Sequence, residues 1–314
     1  VLAVTAVAVS PLVATVNASA SPGGLNLGWA DAPTYSFGTL DAALNQSATH
    51  TFTLSNTDGH KVGPITVTLS GAGAFTKTAD GCTGSRLTPK KSCTVRVKYA
   101  PTQNGAGTGM LTASSPSAPN AILGLSGASA WSNNDLTTYN QSEWGGDASS
   151  TIAALLENNF NSVYAGNFGE LTVGGGFRMS FGSASAVEAY LPQTGPAGAL
   201  DTSLSDPTTS ASGKFGGDVV ALELEVDFAD QQLLTANSGL KFGDLTICDS
   251  GDSAVDGADV RQFLAATNSL LGGGTSSYGT INDLQPIAFD LNGAFLDGTP
   301  DSWAQAHLFA TSCP

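Results

Sequence analysis

Ser92-Cys93-Thr94-Val95-Arg96-Val97-Lys98-Tyr99-Ala100-Pro101 reads as one strand of a half-buried sheet, stopped by proline. Cys93, Val95, Val97 and Tyr99 fall on one face, and Thr94, Arg96 and Lys98 on the other. A pleated strand sends alternate side chains to opposite faces, so Cys93 stands with the core side. The same alternation recurs upstream. In Ala48–Ser55, His50, Phe52 and Leu54 face one way and Thr49, Thr51 and Thr53 the other; Ile65, Val67 and Leu69 alternate with Thr66 and Thr68 behind Pro64. Turn clusters separate these runs, at Asn56-Thr57-Asp58-Gly59, Leu87–Lys91 and Pro101–Gly105. Short alternating strands with regular turns are the pattern of a β-sandwich.

Several of these segments together resemble a known family. Phe37-Gly38-Thr39-Leu40, Leu54-Ser55-Asn56-Thr57, Cys82-Thr83-Gly84, Leu87-Thr88-Pro89, Ser92–Val97, Tyr99-Ala100-Pro101-Thr102, Gly105 and Leu125-Ser126-Gly127 are similar to the choice-of-anchor D repeat. That repeat is an immunoglobulin-like module related to the abnormal-spindle/hydin domains of bacterial surface proteins. The resemblance covers residues 30–130. It implies a seven-stranded immunoglobulin-like sandwich and an extracellular setting, and it implies no catalysis. Such proteins often end in a sorting or membrane anchor. This sequence ends at Cys313-Pro314 without one, so attachment is expected to be non-covalent or by assembly.

The leading segment, Val1–Ala20, is apolar and rich in valine and threonine, and Ser21-Pro22-Gly23-Gly24 follows it. A transmembrane helix needs about 18–20 apolar residues, and this run is broken by Thr5, Ser10 and Pro11. Ala18-Ser19-Ala20 suits signal cleavage, although no basic residue or methionine precedes the run. The reading adopted is a strand with apolar or small residues on both faces, in which Val1, Leu2, Val4, Val7 and Val9 form the assembly surface. Such a strand has to be covered, and strand addition to a second copy would cover it.

Composition narrows the partners. The 314 residues carry a formal charge of −15 with only 11 Lys+Arg. Phosphate recognition needs clustered cations, so nucleic acid is excluded as a partner, and an anionic membrane surface is disfavoured by the same sign. With 41% hydrophobic residues and patterned strands the chain is not a disordered one. Cys82, Cys93, Cys248 and Cys313 lack zinc-ligand spacing. Of the three pairings four cysteines allow, Cys82–Cys93 with Cys248–Cys313 is the simplest, and it implies an oxidising compartment. Asn17, Asn45 and Asn140 each start a glycosylation acceptor triplet.

Beyond a short linker at 128–134 the pattern changes. Ile152, Leu155, Leu156, Phe160 and Val163 have helical spacing behind a Ser149 or Ser150 cap. Val260, Phe263, Leu264 and Leu271 make a second helical face, and Leu284, Ile287, Ala288, Leu291 and Phe295 a third. Thr280 and Asp283 suit a capping box for the third, with Pro286 expected to kink it. Val219–Phe228 reads as a strand, with Glu223, Glu225 and Asp227 outward; Gly169–Val173, Phe177–Phe181 and Asp244–Cys248 are weaker strands. A long connection spans Pro192–Gly217. The expected fold is therefore mainly β: residues 1–24 a donor or signal-like segment, 25–130 an immunoglobulin-like β-sandwich, and 131–314 an α+β domain.

Chemistry is scarce. Glu223, Glu225 and Asp227 on one strand face would stand about 6.5–7 Å apart, within the range of glycosidase carboxylates. A solvated sheet face is the preferred reading, since no His or Arg in the neighbouring sequence would tune either acid. The acidic run Asp249–Asp259 fails the calcium-loop spacing, because Cys248 falls at the first ligand position. Nucleophile-elbow, zinc-protease and phosphate-loop motifs are missing, and His50, His60 and His307 are scattered. Trp131, Tyr139 and Trp144 would suit a sugar platform, but buried aromatics at a junction are the preferred reading. The expectation is a non-enzymatic extracellular structural protein without cofactor or metal. Its copies would join into a pilus-like filament by N-terminal strand exchange. The alternative is a secreted monomeric adhesin or carbohydrate-binding module, with residues 1–20 a signal peptide and surface glycans as its partner.

Overall fold

The computed structural model describes residues 26–313 apart from 44–45, 103 and 147–149. The proposed assembly residues Val1, Leu2, Val4, Val7 and Val9, and Asn17 and Asn45, lie outside the described residues. The first half holds, in chain order, β1 (Leu27–Trp29), β2 (Thr34–Asp41), β3 (Ala48–Asn56), β4 (Thr66–Gly71), β5 (Phe75–Asp80), β6 (Ser92–Tyr99), β7 (Gly105–Ser115) and β8 (Ala118–Ala130). They form two four-stranded sheets, β1-β3-β6-β5 and β2-β8-β7-β4. All pairings are antiparallel except β2 with β8. This is the immunoglobulin-like sandwich.

Its register follows the alternation of the sequence. Phe52 and Leu54 of β3 sit opposite Val95 and Cys93 of β6, and Phe52, Leu54, Val95 and Val97 have no exposed surface. Leu111, Leu123 and Leu125 close the core from the other sheet. The Trp29 indole donates to the Ala121 carbonyl at 3.1 Å and ties the two sheets together. Cys82 is bonded to Cys93 at one edge. The expected linker is shorter than the spacing suggests: β8 continues to Ala130 because residues 128–130 pair with β2.

The second half is helical at its centre. It contains α1 (Gln141–Trp144), α2 (Thr151–Val163), β9 (Leu171–Gly174), β10 (Arg178–Phe181), α3 (Ala184–Tyr190), β11 (Leu204–Ser205), α4 (Gly213–Asp230), β12 (Thr246–Ile247), α5 (Val260–Leu271), α6 (Ile281–Gly293), α7 (Ser302–His307) and β13 (Leu308–Phe309). The three amphipathic patterns became α2, α5 and α6. Ser150 caps α2 by accepting from Ala153 N at 3.0 Å, and the Asp283 carboxylate accepts from the Thr280 N–H and hydroxyl, each at 2.8 Å. Helix α6 runs through Pro286.

The strand expected at Val219–Phe228 is instead the middle of α4. Period-two alternation misled because this helix is covered nearly all round: Phe215, Val219, Val220, Leu222, Leu224 and Phe228 are all fully buried. A helix enclosed on all sides loses the one-sided stripe that distinguishes it from a strand. The long connection accordingly ends at Gly213, not Gly217. Helices α1, α5 and α6 pack around α4.

The two halves meet at Trp131 and the C-terminal segment. Gln305 Oε1 accepts from Trp131 N at 2.8 Å while its Nε2 donates to Trp131 O at 2.9 Å. Asn104 Nδ2 reaches the Gln305 and Leu308 carbonyls, both at 3.2 Å. The Cys248–Cys313 bond holds the tail beside β12. Among the described residues no helix is long and apolar enough to cross a membrane.

Candidate functional site

Asp218 is an acid inside an otherwise apolar helical run, and it is only 1% exposed. Burial of a carboxylate is costly unless hydrogen bonds replace its water. Here two amides do so. Gln141 Nε2 donates to Oδ1, and Gln285 Nε2 donates to Oδ2 at 2.9 Å. Asn292 adds a bond from Nδ2 to the Asp218 backbone carbonyl at 3.0 Å. Burial raises the Asp218 pKa above the ordinary carboxylate range, against the opposing pull of Gln285, Gln141 and the Lys214 ammonium.

Local sequence explains how the amides arrive. Asn140 caps α1, its Oδ1 accepting from Ser142 N at 2.9 Å, and Glu143 Oε2 accepts from Asn140 N at 2.8 Å. This reciprocal box fixes the first turn and aims Gln141 at α4. Gln141 Oε1 also accepts from Gln193 N at 2.9 Å, which brings in the segment after α3. Gly217 makes the approach possible, since a Cβ there would fall inside the Gln141 amide. Helix α6 supplies Gln285 and Asn292 from the far wall.

Together these groups form the floor of an open groove of about 680 Å³. Pro192, Pro286 and Phe289 give its walls an apolar surface, and Lys214 contributes a cation. Phe289 is 60% exposed although it lies on a helix with a well-buried face. Asn292 Oδ1 is buried and has no hydrogen-bond partner. The groove thus combines fixed amides with an exposed ring.

A second acid holds α1 in place from behind. Glu225 is fully buried, and its Oε1 accepts from Tyr139 N and from Trp144 Nε1, the latter at 2.8 Å. Burial pushes its pKa well above the ordinary value, outweighing those two donors.

The expected row of Glu223, Glu225 and Asp227 on one sheet face does not exist. On α4, Glu223 and Asp227 share a face as an i,i+4 pair, while Glu225 turns inward between them. The pairing of Glu223 with Glu225 for glycoside cleavage is therefore overturned by the helix itself. Trp131 and Trp144 are 3% and 0% exposed, so both are core residues. In the acidic loop, Asp256 Oδ1 accepts from the Ser250 N–H and hydroxyl, both at 2.8 Å, and Asp259 caps α5 through Gln262 N at 2.7 Å. His50 stacks on Tyr35 at 4.0 Å, and His307 Nδ1 lies 3.0 Å from the Cys248 carbonyl. The groove residues went unnoticed in the sequence because isolated amides form no motif. The one available signal was Asp218 within an apolar run.

No protein-family profile and no curated protein matches the chain. Solved structures match parts of it. The secreted serine protease VesC from Vibrio cholerae is 20% identical at a TM-score of 0.27, over 38% of this chain and 25% of that one. The ASH/PapD-like domain of human CEP192 is 14% identical at a TM-score of 0.27, over 40% of this chain and 98% of that domain. The periplasmic chaperone SfaE is 15% identical at a TM-score of 0.24, over 34% of this chain and 57% of that one. The chain spans 25% and 32% of the two Vibrio proteases it matches. Such partial likenesses carry no argument about function. The sandwich stands on its own ladders, and the narrower choice-of-anchor D resemblance has no family match behind it.

Proposed function

We propose that this protein is a secreted, non-enzymatic binding protein whose amide-floored groove takes a neutral polar ligand, a surface glycan. The observation that carries the reading is Asp218, held between Gln141 and Gln285 beneath an exposed Phe289. Sugar rings offer hydroxyls to oriented amides and an apolar face to an aromatic ring, and binding pockets commonly pair a largely apolar lining with a few placed polar groups. Both Asp218 oxygens accept from amides, which suits orienting the floor better than moving protons. Two disulfides support an extracellular location. Screening the full chain on a glycan array, beside Phe289→Ala and Gln285→Ala, tests the reading. Selective binding that falls at least tenfold in both variants supports it; no glycan binding, or equal binding by the variants, ends it.

A second reading, the filament subunit, draws support from the sandwich edge. Strand β1 pairs with only Leu54, Ser55 and Asn56 of β3. Among the described residues, the outer edge of β3 from Ala48 to Phe52 has no ladder partner. A strand from the leading segment of a neighbouring copy would extend that edge, and such a head-to-tail contact generates an open filament. Electron microscopy of native material, compared with a chain lacking Val1–Val9, decides it. Filaments that persist without Val1–Val9 refute the exchange.

A further inference from the structure

The amide groove does not end at α6. Pro286 and Asp290, one turn apart, line it and also line a second hollow of about 640 Å³. Helix geometry fixes how the two adjoin. At about 100° per residue, Pro286 and Asp290 stand between Gln285 and Phe289 on one side and Asp283 and Ile287 on the other. The first pair lines the amide groove, and the last pair lines the second hollow. The two are therefore flanks of one trough that crosses α6 over the exposed Pro286.

The loop at 250–254 and the turn at 277–279 complete the second hollow, bringing Ser253, Ser277 and the half-buried Tyr278. The trough thus has an aromatic residue in each half, Phe289 and Tyr278, and a proline between them. Two of the three acids at the second hollow are spent on local structure. Asp283 accepts from Thr280, and Asp252 Oδ1 accepts from Ala254 N at 2.9 Å. Among the described residues no cation lines that half, so an anionic chain entering it would meet Asp290 without a counter-charge. A hollow of roughly 300–1,000 Å³ encloses one drug-sized ligand. Each half is that size alone, so a single sugar ring leaves most of the trough empty.

We propose that the trough takes a linear, uncharged oligosaccharide laid across α6 at Pro286, with one part against Phe289 and another against Tyr278. The proposal rests on the glycan reading of the amide groove and adds selection by length and charge. The amides around Asp218 orient one end of the chain. The second hollow offers hydroxyls and an aromatic side chain, which hold further rings without demanding a charge. Rings already tethered to a seated neighbour bind at high effective concentration, so affinity climbs with chain length until the trough is full.

Calorimetric titration of the full chain tests this with cellobiose, maltose and N,N′-diacetylchitobiose beside the corresponding hexasaccharides. Hexagalacturonate is the charged control. In at least one series the hexasaccharide should bind at least tenfold more tightly than its disaccharide, and tenfold more tightly than hexagalacturonate. Ala254→Trp and Ser277→Trp put a bulky ring into the second hollow from exposed positions. Each, checked for an unchanged melting temperature, should bring the hexasaccharide down to the affinity of its disaccharide. Three results overturn the extension and leave the glycan reading standing: equal binding of disaccharide and hexasaccharide, equal binding of hexagalacturonate, or a gain with length that survives in both variants. Absence of binding by every saccharide overturns both.

Discussion

Trp144 donates its indole N–H to the Glu225 carboxyl at 2.8 Å, joining the four-residue helix α1 to the central helix α4. A helix that short has no stability of its own, so this bond and the capping box decide where Gln141 points. The amide analogue keeps the oxygen that accepts from Tyr139 N and Trp144 Nε1. Glu225→Gln is expected to change stability by about 1 kcal/mol or less at pH 7. Glu225→Ala leaves two buried donors and a void, and should cost about 2–4 kcal/mol by denaturant unfolding.

Glu223 and Asp227 set a dependence on pH. Burial, then repulsion from Asp227, raises Glu223 to about 7; burial, then repulsion from Asp230, raises Asp227 to about 6. Between the ordinary carboxylate range and these values the folded state binds more protons than the unfolded chain, so both groups withdraw stability as pH rises. The double variant Glu223→Gln with Asp227→Asn should therefore melt above the wild type at pH 8, by the equivalent of a few kcal/mol. The gap should close as pH falls toward 4. A constant gap across that range contradicts the assignment.

Gly217 is where α4 makes room for Gln141. Gly217→Ala should displace that amide and cost about 1–3 kcal/mol through overpacking, despite the better helix propensity of alanine. Thermal unfolding measures the loss. Gln141→Ala in the same background should add little, since the contact would already be broken.

The two disulfides close loops of different length, with sequence separations of 11 for Cys82–Cys93 and 65 for Cys248–Cys313. On the chain-entropy account, removing them costs about 3 and 4 kcal/mol respectively. Each loss should appear in the half that holds the bond. Calorimetry of Cys82→Ala/Cys93→Ala and Cys248→Ala/Cys313→Ala checks whether the sandwich or the helical transition moves.

Much of the sandwich was legible in the sequence. Phe52, Leu54, Val95 and Val97 alternate with polar neighbours because one face of each sheet meets solvent. Helices α2, α5 and α6 were equally plain, each having a wet side. Helix α4 was not, and with it went the reading of Glu223, Glu225 and Asp227. Enclosure removes the polar stripe that reports a helical period, so Val219–Phe228 carries no local record of its own geometry.

The sequence by itself determined strands β3, β4 and β6, three amphipathic helices, a serine cap at 149 or 150, the Thr280 capping box, and an acidic chain poor in cations. It also held the simplest cysteine pairing, which the fold realises. Only the tertiary structure gathered Gln141, Asp218, Gln285 and Asn292 around one groove, and placed Tyr164 beside Glu223 and Asp227. Periodicity is written locally, one turn or one pleat at a time. Which distant amide satisfies which buried acid depends on how whole elements pack, and short-range spacing has no access to it.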